Sequence, residues 1–162
     1  MSDGKNNGVN EVEIRVERWL QTVKRLFLDT APVIYYVEEH PHYVSLVDGI
    51  FDSVDQGLLE AVVSPITLAE CLIAPYRASD SDLQQAFIDT LTTGSHTYFA
   101  VIDRQTGEQA AKFRACYNLG LADALQFAVA LEAGCDAFLT NDMALKRVME
   151  LNVITLNDIL DM

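Results

Sequence analysis

Four carboxylates stand where short apolar runs end or helices begin. Asp29 closes Arg25-Leu26-Phe27-Leu28, and Glu70 lies one turn beyond Ser64-Pro65-Ile66-Thr67, a helix-start signature. Asp123 opens a helix at Leu121-Ala122-Asp123-Ala124, and Asp142 follows Phe138-Leu139-Thr140-Asn141. Acids at strand ends and helix starts around one sheet can converge on one cavity, where they repel unless a cation sits among them. Oxygen donors without His or Cys select hard ions, Mg²⁺ or Mn²⁺. Such ions lower the pKa of bound water, and a pair ~3.5–4 Å apart stabilises both oxygens of an in-line displacement. The chemistry that fits is phosphodiester hydrolysis. Thr140 can donate its hydroxyl to a neighbouring carboxylate or to metal-bound water. Lys146, one helical turn past Asp142, is a candidate phosphate contact beside the plainer reading of a surface lysine.

The elements that must place these acids follow from periodicity. Strands are expected at Arg25–Asp29, Glu60–Ser64, Thr97–Ile102, Asp136–Thr140 and Val153–Leu156. Helices are expected at about 31–38, 43–56, 65–75, 80–91, 104–117, 122–133 and 143–150, with a last turn over 157–162. Gly57, Gly94 and Gly134 close the helices before them. Strands alternating with helices imply right-handed crossovers and a three-layer α/β/α sandwich around a mainly parallel five-stranded sheet. Ligands in such sheets bind beyond the carboxyl ends of the strands, where strand order reverses. Residues 25–162 form one domain, and residues 1–24 are expected to be a partly disordered extension. Within that extension Glu11 to Lys24 is ambiguous. Val12, Ile14 and Val16 alternate as in a strand, whereas Val12, Val16, Leu20 and Val23 repeat as in a helix.

The chain has 162 residues, half of them hydrophobic, enough for one cored domain. No apolar run approaches the ~20 residues of a membrane helix. Cys71, Cys116 and Cys135 form no C-x-x-C pair; they argue for a reducing cytoplasm and are expected in the core. The net charge of −13 opposes broad binding to duplex nucleic acid and favours a basic partner. It does not oppose cutting a single strand at a cation-filled centre.

The stretches Phe27–Thr30, Val63–Glu70, Leu121–Ala124 and Ala137–Asp142 resemble the PIN-domain ribonucleases, within them the VapC-like toxins of toxin–antitoxin pairs. The resemblance runs from about Arg25 to Leu160. It implies a PIN-like α/β/α fold and Mg²⁺- or Mn²⁺-dependent cleavage of single-stranded RNA leaving a 3′-hydroxyl and a 5′-phosphate. It further implies a homodimer silenced by an antitoxin whose tail enters the active site. Carried over by residue, Asp29, Glu70, Asp123 and Asp142 are the metal-binding acids, and Thr140 is the polar residue before the last. Arg114 matches a basic position upstream of the third acid. Ala122 departs from the proline or polar residue common there, and the extension bearing Trp19 lies outside the pattern, as an interaction arm or a start codon assigned too early would.

Three other features have plainer readings. His40-Pro41-His42 lacks further ligands for zinc and reads as a solvated turn. His96 reads as a structural loop residue, and Asp136 as a cap on the turn into the fourth strand. There is no Walker loop and no G-x-G-x-x-G. Two rival functions remain: a catalytically silent RNA-binding or regulatory module, and an RNA-processing nuclease without an antitoxin.

Overall fold

The computed structural model describes residues 10–162. In chain order these form α1 (Glu11–Leu20), β1 (Arg25–Leu28), α2 (Thr30–Val37), α3 (Val44–Asp55), β2 (Glu60–Val63), α4 (Pro65–Arg77) and α5 (Ser81–Thr92). Then follow β3 (Thr97–Phe99), α6 (Arg104–Tyr117), α7 (Leu121–Glu132), β4 (Ala137–Thr140), a 3₁₀ turn (Met143–Arg147), β5 (Val153–Thr155) and α8 (Leu156–Leu160). The sheet order is β3-β2-β1-β4-β5, and every pairing is parallel. The chain builds outward from β1 to β3, then crosses to the other side of β1, so strand order reverses between β1 and β4. This is the expected α/β/α architecture.

The central strands are continuous apolar runs because both of their faces are covered. Leu26 and Leu28 point into one cluster with Val16, Trp19, Leu46, Ile50 and Ile159. Phe27 points the other way and stacks on Phe138 at 4.9 Å, which stacks on Phe127 of α7 at 4.2 Å. Gly57 and Gly134 end α3 and α7 with φ of +73° and +68°, values that strain any side-chain-bearing residue.

Several elements depart from expectation. The ambiguous segment is a helix, α1, capped by the Asn10 side chain. Its buried Val16 and Trp19 belong to the main core, so this stretch is no free interaction arm. The disorder expected in the extension concerns residues 1–9, which lie outside the described residues. Helix α4 runs through Pro75 to Arg77; the proline forfeits its own N–H bond to the preceding turn, while its carbonyl accepts from Asp80 N–H and Gln84 Nε2. The helix expected over 143–150 shrinks to the 3₁₀ turn, because the chain is already extended at Val148 on its way into β5. Cys71 and Cys135 are buried, but Cys116 is exposed: the outer face of α6 carries it away from the sheet.

Candidate metal centre at the carboxyl edge of the sheet

Asp29 is the first residue past β1. Its N–H extends the ladder to Leu139 O at 3.0 Å, and its carboxylate caps α2 by accepting the Thr30 N–H at 2.8 Å. The other carboxylate oxygen accepts from Thr140 Oγ1 at 2.7 Å. Thr140, the buried last residue of β4, also accepts the Asp142 N–H at 3.1 Å. Asp142 caps the 3₁₀ turn through the Ala144 N–H at 2.9 Å. One hydroxyl thus joins the first and fourth acids across the strand reversal.

Glu70 reaches the same edge from α4, its carboxylate accepting from Thr30 Oγ1 at 2.7 Å. Asp123 occupies the first turn of α7, where the helix dipole favours an anion. Burial pushes the Asp29 carboxyl up to about 6 against the pull of its bonds to Thr140 and Thr30, and the charges of Asp123 and Glu70 add to the rise. Burial also raises Asp123, helped by Glu70 and Asp142 and opposed by Arg147. The structure therefore brings all four sequence-selected acids to one edge and into one another's fields. Among the described residues no three acidic, His or Cys side chains are gathered closely enough to enclose an ion. An all-oxygen set that raises its own proton affinity this way suits a hard divalent ion.

The basic candidates fare differently. Lys146 donates to both carboxylate oxygens of Asp158 on α8, each at 2.8 Å, which pairs its charge there. Arg114 donates to Leu119 O at 2.7 Å and meets no carboxylate there. Sequence reasoning missed Arg147. Its Nε and Nη2 donate to Tyr117 O at 3.3 and 3.1 Å, and its Nη1 to Ala144 O at 2.6 Å. It pins the turn after Asp142 to the connection entering α7. Thr30 was missed as well, since nothing local to Thr30-Ala31-Pro32 announces a contact with Glu70. Cys71, beside Glu70, is a core residue whose thiol burial pushes up to about 12. Asp136 accepts the N–H groups of Lys24 and Arg25, each at 2.9 Å, so it fastens the start of β1 and not the turn before β4.

The PIN domain family model matches residues 26–151, most of the chain. The chain is a PIN-domain protein. Solved structures agree on the fold. VapBC2 of Rickettsia felis, bound to a DNA fragment from its promoter, superposes with a TM-score of 0.65 at 17% identity, covering 81% of this chain and 98% of that one. Mycobacterium tuberculosis VapC20, a sarcin-ricin-loop-cleaving toxin, gives 0.61 at 15% identity over 78% and 98%. FitAcB of Neisseria gonorrhoeae gives 0.59 at 16% identity over 81% and 97%. No curated protein matches the chain. Among the described residues no helix is long and apolar enough to cross a membrane.

Proposed function

We propose that this PIN-domain protein is a divalent-metal-dependent endoribonuclease and the toxin of a toxin–antitoxin pair. The observation that carries the nuclease reading is the convergence of Asp29, Glu70, Asp123 and Asp142 at the strand reversal, where each raises the cost of ionising another. Asp29, Glu70, Asp123 and Asp142 would hold Mg²⁺ or Mn²⁺, which supplies the attacking hydroxide and neutralises the scissile phosphate when bound. Thr140 keeps the Asp29 carboxylate facing the edge and fixes the Asp142 backbone through the same oxygen. Thr30 aims Glu70. Arg114 is the candidate contact to the RNA backbone, whereas Lys146 has already spent its charge on Asp158.

The antitoxin draws support from a structural neighbour of Klebsiella pneumoniae solved as a toxin–antitoxin complex, and from a net charge of −13 that suits a basic partner. A homodimer in the cytoplasm belongs to the same reading. Cleavage of single-stranded and structured RNAs with Mg²⁺ or Mn²⁺ tests it, wild type against Asp29→Asn. Activity confined to the wild type with metal is expected, and equal activity in both proteins would end the mechanism. The rival reading is a catalytically silent RNA-binding or regulatory module with the same fold. Calorimetric titration with Mn²⁺ separates the two readings, because the silent module binds none at millimolar ion.

A further inference from the structure

Beneath the acidic edge lies a buried polar hub that the four acids do not explain. Gln126 sits on the buried side of α7 among Ala124, Phe127 and Ala128, where the helix pattern calls for an apolar residue, and it is 1% exposed. Its Nε2 donates to Thr67 Oγ1 at 2.8 Å, and its Oε1 accepts from Ser64 Oγ. Ser64 and Thr67 are wholly buried in the first turn of α4. Ser64 Oγ also accepts the Ile66 and Thr67 N–H groups, at 3.0 and 3.4 Å. Thr67 Oγ1 passes its own proton to Leu28 O at 3.4 Å, at the end of β1.

Donors and acceptors around the hub allow one arrangement. Thr67 gives its only proton to Leu28, so it must accept from the amide nitrogen. Ser64 accepts from the backbone, so its proton goes to the amide oxygen. A buried amide is retained at a desolvation cost unless every bond is made, and a completed network of this kind fixes one geometry. Each member stands beside an acid: Gln126 is one turn past Asp123, Thr67 one turn before Glu70, and Leu28 adjacent to Asp29. The hub joins the three elements that carry these acids.

We propose that Gln126 is a positioning residue whose amide, through Thr67 and Ser64, fixes β1, α4 and α7 against one another so that the Asp29, Glu70 and Asp123 side chains they carry can close on one divalent ion. The proposal rests on the metal-dependent reading above and deepens it. Lost supporting partners of metal ligands typically weaken metal binding by about 10–100-fold. The test is Mn²⁺ affinity of the full chain, read from the electron paramagnetic resonance of free Mn²⁺ well below the unfolding temperature of every variant. Gln126→Met, which keeps length without polarity, and Thr67→Val, which keeps shape without the hydroxyl, each weaken Mn²⁺ binding by about 10–100-fold. Thr67→Ser restores the hydroxyl and keeps wild-type affinity. Thr106→Val removes another buried hydroxyl, bonded to Glu132 at the far end of α7, and lowers the unfolding temperature without altering Mn²⁺ binding.

Wild-type Mn²⁺ affinity in folded Gln126→Met or Thr67→Val overturns the positioning role and leaves the nuclease reading standing. A folded wild type that binds no Mn²⁺ overturns both. Should Gln126→Met fail to fold, the contrast between Thr67→Val and Thr67→Ser decides alone.

Discussion

The two ends of the sheet use the same residue types to opposite purpose. At the amino edge, Glu60 takes the guanidinium of Arg25 at 2.6 Å, and Asp136 takes two backbone N–H groups. Arg25 donates in addition to Ala133 O, so the first residue of β1 is tied to both neighbouring segments. At the carboxyl edge, Asp29 and Glu70 receive hydroxyls and an N–H but, among the described residues, no cationic partner. Asp123 meets two other acids before the field of Arg147. Hydrogen bonds orient a carboxylate without cancelling its charge, whereas an ion pair does both. Carboxylates at the amino edge hold strands in register; those at the carboxyl edge stay short of positive charge and available to a cation.

The largest break in this comparison comes from removing an acid at the carboxyl edge. Asp29→Asn is expected to lower RNA cleavage by more than the ~100-fold that a lost supporting partner costs, measured as kcat/KM with saturating Mg²⁺. Asp136→Asn at the other edge leaves kcat/KM unchanged.

Stability without metal reverses the order. Asp29 is raised to about 6 in the folded state, above its ordinary value of 3.8, so the folded chain binds this proton more tightly than the unfolded one. At pH 7 both states are ionised and folding carries the full penalty. The penalty shrinks as pH falls through 6 and is gone below 3.8. Folding free energy is therefore expected to improve by roughly 2–3 kcal/mol between pH 7 and pH 4 from this group, and Asp29→Asn removes that dependence. Urea unfolding across pH in chelator, wild type against variant, measures it. A wild-type profile no steeper than the variant's would deny that the edge is short of positive charge.

Smaller effects belong to the amino edge. Asp136→Ala gives two exposed N–H groups at the start of β1 water in place of a carboxylate, at a cost of about 0.5–1.5 kcal/mol. A domain of this size then unfolds some 1–6 °C lower in calorimetry, with cleavage retained. Glu60→Gln weakens a half-exposed ion pair worth ~0–1 kcal/mol, a shift of a few degrees at most.

The acids were legible because each announces itself locally. Asp29 and Asp142 cap the turns that follow them, Asp123 opens a helix, and Glu70 stands nearly two turns past the Ser64 cap. Partners distant in sequence were not legible. Thr30 meets Glu70 across 40 residues and Gln126 meets Ser64 across 62, and only a finished sheet makes those neighbours. The partner of Lys146 is of the same kind: its plainer reading as a surface lysine names no acid, and Asp158 arrives from α8 to pair with it.

Alternation of apolar runs and capped helices was enough by itself to specify parallel β/α layers and the four acids at their junctions, because periodicity and capping act within a few residues. Folding decided the rest: whether α1 joins the core, which cations are spent on internal partners, and how β1, α4 and α7 are spaced by a buried amide. Those outcomes depend on burial and on hydrogen-bond partners that meet only when distant segments pack, and that is where the field at the carboxyl edge is set.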